Sequence, residues 1–139
     1  MMLSKSCEYG LRAALYIASL DQDGYISIGT ISEELGISFP FLTKILQKLN
    51  DAGLLTSQRG PKGGVALTQP ADEVTLHEIV VAIEGDDLFR ECVLGLPGCG
   101  DAEPCPLHDE WVEERGQIKS LFQDATLAEL PDVRLAALD

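Results

Sequence analysis

The chain has 139 residues, room for one compact domain with its own core, or a small domain joined to an assembly element, but not for two large domains. Its formal net charge is -13 at pH 7, from 10 basic and 23 acidic side chains. No apolar run approaches the roughly eighteen residues of a membrane span. The opening MMLSKSCEYGLR lacks the apolar core and cleavage site of a secretory signal. The expectation is a cytoplasmic protein with no membrane partner.

So much acid excludes a uniformly basic nucleic-acid binder, yet the charge is unevenly placed. Residues 1–64 carry six basic and six acidic side chains, whereas residues 65–139 carry four basic and seventeen acidic ones. Between Ser38 and Gly64, Lys44, Lys48, Arg59 and Lys62 stand against Asp51 alone, a local balance of +3. Contact with a polyanion would need its positive charge there.

In chain order, Cys7, Leu11, Ala14, Leu15 and Ala18 recur at helical spacing over Ser4 to Leu20, and DQDG breaks the pattern. After a short extended segment, Ser27 is placed to cap a second helix carrying Ile28, Ile31 and Leu35 and ending at Gly36. A third helix follows, with Ser38 as its N-cap, Pro40 in the first turn, and Leu42, Ile45, Leu46 and Leu49 on one face. Its other face carries Thr43, Lys44, Gln47 and Lys48. Two helices joined by a tight Gly-containing turn predict a helix-turn-helix whose second member enters a DNA major groove.

LLTSQRG and VALTQ then predict two short strands joined through GPKGG, the wing of a winged helix. Arg59 lies at the edge of this Gly-rich hairpin with Lys62 at its tip, a position from which a guanidinium enters a narrow minor groove. Thr75 is placed to cap a fourth helix with Leu76, Ile79, Val80 and Ile83, stopping near Gly85; His77 on it is assigned to structure. Leu107, Trp111, Ile118, Leu121 and Phe122 predict a long helix of about eighteen residues. Dimerisation is its expected role, because a helix-turn-helix reader gains specificity from two half-sites. Thr126 and Glu129 suit a capping box for a last short turn before the tail.

Ahead of the long helix comes CVLGLPGCGDAEPCPLH, with Cys92, Cys99 and Cys105 followed by His108. Clustered cysteines in a reducing compartment are more often ligands or redox centres than disulfides. The Cys-x6-Cys-x5-Cys-x2-His spacing departs from the paired CxxC knuckles of common zinc sites. Thiolates on such a loop suit an iron-sulfur cluster, which accepts a non-cysteine fourth ligand. His108 and, from the first helix, Glu8 are the candidates for that ligand. Cys7 faces the apolar stripe and is expected in the core. The chain shows no nucleophile and base set beyond this loop, and GPKGG lacks the strand-to-helix setting of a phosphate-binding loop, so an enzyme is not expected.

LSKSCEYGLRAALYIA, ISEELGISFPFLTKILQKLNDAGLL, the wing SQRGPKGGVAL and the triple-cysteine loop together resemble the IscR and NsrR family of bacterial winged-helix regulators, over roughly residues 2–125. The resemblance implies a homodimer built on the long helix, the third helix in the major groove and Arg59 in the minor groove of a palindromic double-stranded operator. It also implies an iron-sulfur cluster, two-iron two-sulfur with four-iron four-sulfur as the alternative, on Cys92, Cys99 and Cys105. In assembly regulators of this kind the fourth ligand is a histidine just after the third cysteine, matching His108. In nitric-oxide sensors it is an N-terminal acid of the other subunit, matching Glu8. The first gap in the loop is six residues here, where assembly regulators commonly have five.

The expected architecture is therefore mainly α. Residues 1–85 form a winged helix-turn-helix with a two-stranded wing that binds DNA, 86–106 a cluster-binding loop, 107–125 a dimerisation helix and 126–139 a tail. The expected function is a dimeric transcription regulator sensing iron-sulfur cluster, redox or nitric oxide status. The competing reading is a zinc or thiol-redox interaction module without specific DNA binding.

Overall fold

The computed structural model describes residues 3–20, 24–91 and 106–129. Five helices and a two-stranded antiparallel sheet follow one another as α1 (Lys5–Ser19), α2 (Ile28–Leu35), α3 (Phe39–Asp51), β1 (Leu55–Gln58), β2 (Gly64–Leu67), α4 (Leu76–Glu84) and α5 (His108–Asp124). Short 3-10 turns lie at Ala71–Glu73, Asp87–Phe89 and Leu127–Glu129.

Local chemistry sets these boundaries. Ser4 caps α1 by accepting from the Cys7 backbone, and Ser27 caps α2 by accepting from Thr30. α2 ends on Gly36 in the left-handed conformation, φ 68°, where a side chain would be strained. Thr75 caps α4 through a complete capping box with Glu78, a partner the sequence reading did not name. Ser38 occupies the N-cap position of α3 as expected but makes no side-chain capping bond, which corrects that part of the reading. Pro40 in the first turn has no N–H to be capped, so fewer donors there need a partner.

The core gathers Ala13, Ala14 and Ile17 from α1, Ile31 and Leu35 from α2, Leu42, Ile45, Leu46 and Leu49 from α3, and Ile79, Val80 and Ile83 from α4. On α3 and α4 these are the faces that helical spacing marks out; on α1 the buried set also takes in Ala13 and Ile17, while Leu11 and Ala18 of the expected stripe are half-buried, a correction to that reading. α5 is different: none of its residues is fully buried, and its inward contacts are with α4 and the Asp87–Phe89 turn. Phe122 meets Phe89 edge-on at 5.9 Å, and Phe89 stacks on His77 at 4.8 Å. Backbone pairing at Leu127→Val74 and Leu76→Ala125 fastens the far end of α5 beside the start of α4.

The wing is held to the helices through a third strand-like segment. β1 and β2 pair in the register Leu55↔Leu67 to Gln58↔Gly64, and Ile26 and Val65 exchange both backbone hydrogen bonds, at 2.8 and 2.9 Å. Gly64, at φ 146°, sits where this third segment arrives, and a Cβ there would lie 1.9 Å from the Ile26 carbonyl oxygen. Gly64→Ala combines backbone strain with a backbone clash and should destabilise the fold by about 2–4 kcal/mol. Urea unfolding monitored by circular dichroism measures it; a loss below about 0.5 kcal/mol would show that the wing is not anchored in this way.

Candidate nucleic-acid interface and cluster loop

α3 and the wing bring the predicted DNA-contacting residues to two neighbouring elements. Lys44, Gln47 and Lys48 are exposed on α3, Thr43 is half-buried, and Arg59 and Lys62 are exposed in the turn between β1 and β2. Among the described residues none of the four cations is in an ion pair; the two bridges found are Lys5–Glu8 and Arg90–Asp86. Unpaired cations are free to neutralise phosphates and so release the counterions condensed on DNA.

The α3 side chains are not all equally available. The Thr43 hydroxyl donates to the Phe39 carbonyl at 2.8 Å, the Gln47 amide donates to Asp51 at 2.8 Å, and the Lys48 ammonium donates to the Ile83 carbonyl at 3.3 Å. Three of the five residues expected to read DNA from α3 are thus tied to the protein itself. Lys44 has no such tie among the described contacts, and Ser38 makes no capping bond.

Two aromatic side chains that the sequence reading left aside stand beside them. Phe39 is 52% exposed and Phe41 37%. Phe41 meets Tyr9 of α1 edge-on at 5.7 Å, and Arg12 and Lys5 lie over the same Tyr9 ring at 5.7 and 6.0 Å. Phe39 falls at the margin of the apolar stripe of α3, so spacing alone would bury it. It is the first residue of the helix, and that is the signal that frees it.

The three thiols Cys92, Cys99 and Cys105 lie outside the described residues. Both described ends of their segment are fixed against the start of α5. The Trp111 indole donates to the Glu91 carbonyl at 2.8 Å, and Arg115 donates to the Glu91 carbonyl at 3.1 Å and to that of Arg90. Pro106 leads directly into α5, of which His108 is the first residue and half-buried. This double latch by Trp111 and Arg115 was not foreseen; an indole and a guanidinium one helical turn apart were its only trace in the sequence. Glu8 lies in the first turn of α1, its carboxylate 3.4 Å from the Lys5 ammonium and 16% exposed. Among the described residues no three His, Cys, Asp or Glu side chains converge as a metal site.

Cys7 is fully buried. Burial first, then the charge of Glu84 and a hydrogen bond to it, then the charge of Glu8, push its thiol up from 9.0 to about 12. Full burial among the apolar side chains of the core places Cys7 there, as its spacing indicated. At pH 8 its thiolate fraction is about a thousandfold below that of a thiol at 9.0. Iodoacetamide should therefore leave Cys7 unmodified in the folded protein and modify it after denaturation, as read by peptide mass mapping. Equal rates in the two states would remove it from the core.

Comparison with known proteins places this geometry. The family model described as Rrf2, iron-dependent transcriptional regulator, matches residues 3–132. The transcriptional regulator IscR of Yersinia enterocolitica is 32% identical over 130 residues, covering 94% of this chain and 79% of that protein. CymR, the global cysteine regulator of B. subtilis, superposes with a TM-score of 0.77 at 26% identity, over 93% of this chain and 95% of that one. IscR of T. potens superposes with a TM-score of 0.73 at 25% identity, over 92% and 84%. The winged-helix fold is the fold of these regulators, and the family consists of transcriptional regulators rather than enzymes. A helix-turn-helix with a cation-bearing wing, matched by a family model over nearly its whole length, makes this chain a member of the Rrf2 family of DNA-binding transcriptional regulators.

Proposed function

We propose that the protein acts as a homodimer on a palindromic operator and changes its affinity with the state of an iron-sulfur cluster. In this reading residues 1–85 bind DNA, 86–106 hold the cluster and 107–125 form the dimer contact. The observation that carries the DNA-binding half is charge segregation: Lys44, Arg59 and Lys62 stand exposed and without ion pairs among the described residues of a chain whose net charge is -13. Exposed Leu107, Val112 and Leu121 on or beside α5, at 44%, 38% and 64%, support the dimer contact.

For the cluster, the donor set fits: Cys92, Cys99 and Cys105 supply three thiolates, and His108 stands at the foot of their loop. A bound cluster supplies an iron centre open to redox change and to nitric oxide. His108 is favoured over Glu8 as the fourth ligand because it lies three residues past Cys105, at the first residue of α5, whereas Glu8 lies on α1. Trp111 and Arg115 hold the near end of the loop against α5. Release of that latch on cluster loss would free the first turns of α5 and with them the geometry of the dimer. The proposed cluster is of the two-iron two-sulfur type, with four-iron four-sulfur as the alternative.

Protein purified without oxygen should be brown, with absorption between roughly 320 and 460 nm and matching iron and sulfide. Cys99→Ala should abolish that spectrum while leaving a folded dimer. A colourless, zinc-containing wild type would favour the alternative, a zinc or thiol-redox module. Arg59→Ala should weaken operator binding about tenfold and lower the salt slope by about 1 without changing cluster content. Unchanged affinity would remove Arg59 from the interface.

A further inference from the structure

The exposed apolar side chains divide by the charge around them. Val81, Leu107, Val112 and Leu121 lie in the half of the chain that carries the whole of the net negative charge. Phe39 and Phe41 lie instead in the segment from Ser38 to Gly64, whose balance is +3. Charge therefore pairs the first group with protein or with another copy of the chain, and the second with a polyanion. Phe41 is partly covered by Tyr9, leaving Phe39 as the larger exposed apolar surface on α3.

Phe39, Thr43 and Gln47 follow one another at intervals of four along α3 and so form one row on its surface. Within this row the Thr43 hydroxyl is committed to the Phe39 carbonyl and the Gln47 amide to Asp51. Thr43 keeps its methyl group as the part without a hydrogen bond to make. At the N-terminal end of the helix, the end that enters a major groove in helix-turn-helix readers, the row is thus apolar. The matching feature in that groove is the C5-methyl group of thymine, which Phe and the Thr methyl both contact. Cytosine shows no methyl there, and the purines show only hydrogen-bonding atoms.

We propose that Phe39 and the methyl group of Thr43 form an apolar reading head that recognises thymine methyl groups in the major groove. The assignment rests on the DNA-binding reading above, and it makes sequence choice on this helix depend on a methyl contact as well as on the polar code. Ser38, without a capping bond, and Lys44 then supply polar and phosphate contacts on either side of the head.

The test begins by selecting bound duplexes from a random pool with the full-length wild-type protein. Each thymine of the selected site is then replaced by deoxyuridine, which removes the methyl group and nothing else. The wild type should lose about fourfold in affinity at one or more thymines per half-site, the effect of one methyl-sized apolar contact. Phe39→Ala should lose that discrimination, and Phe39→Leu should retain part of it. Thr43→Val, which keeps the methyl, should preserve discrimination, while Thr43→Ser should reduce it. Circular dichroism and thermal melting establish that each variant is folded, as the exposure of Phe39 leads one to expect. Equal affinity of the wild type for thymine and deoxyuridine at every position overturns the proposal, as does undiminished discrimination in Phe39→Ala. A pool from which nothing is enriched overturns the DNA-binding reading itself, a result distinguishable from both.

Discussion

The end of α4 is where three helices are fastened together, and the reading surface depends on it. Gly10 of α1 packs so closely that a Cβ there would lie 2.0 Å from the Ile83 side chain and 3.2 Å from that of Ile45. That approach brings α1, α3 and α4 to one point. Polar contacts close around it: Ser4 donates to Glu84 from both its backbone and its hydroxyl, and Lys48 of α3 donates to the Ile83 carbonyl. A helix C-terminus leaves carbonyls without partners, and a lysine arriving from a neighbouring helix is favourable both as a donor and as a charge. The orientation of α3 is therefore set at its far end from α4, leaving its first turn outward and without a side-chain cap.

The same joint adjoins the segment that enters the cysteine loop. From Gly85 the chain passes through the Asp87–Phe89 turn to Glu91, and the rings of His77, Phe89 and Phe122 stack in sequence from α4 across that turn to α5. His77 buries its Nε2 without a hydrogen-bond partner among the described residues, and its ring packs on Phe89. Movement of α5 relative to the loop would thus be felt by α4 through packed rings. Close-packed interiors transmit displacement because they do not deform continuously. From α4, the Lys48 and Gly10 contacts lead to the reading helix. The proposed sensor and the reading surface accordingly share one short, rigid element.

Much of this architecture was legible because its elements are amphipathic and well punctuated. The stripes of α3 and α4, the caps Ser27 and Thr75 and the glycines of the wing each had a local physical cause visible in the residues. What the sequence left open depends on groups far apart along the chain. The Ile26–Val65 pairing, the Trp111 and Arg115 contacts with the 90–91 backbone and the Lys48 contact with Ile83 are long-range and have no periodic signature. The polar face of α3 shows the limit most clearly. Thr43, Gln47 and Lys48 are outward residues by spacing, yet each has an intramolecular partner, and only a structure reveals which outward groups remain available.

This division bears on how an acidic protein recognises DNA at all. Phosphate contact gives affinity but no sequence information, and it attracts a protein to every site alike. With seventeen acidic side chains in residues 65–139 and a balance of only +3 over the reading segment, the non-specific attraction available to this chain is small. Affinity for a specific DNA site must then come in larger proportion from contacts that differ between sites. Apolar contacts meet that requirement, because they are little screened by salt and are lost when a methyl group is absent. An acidic body and the proposed apolar head on α3 would thus serve the same end: binding that depends less on charge and more on sequence.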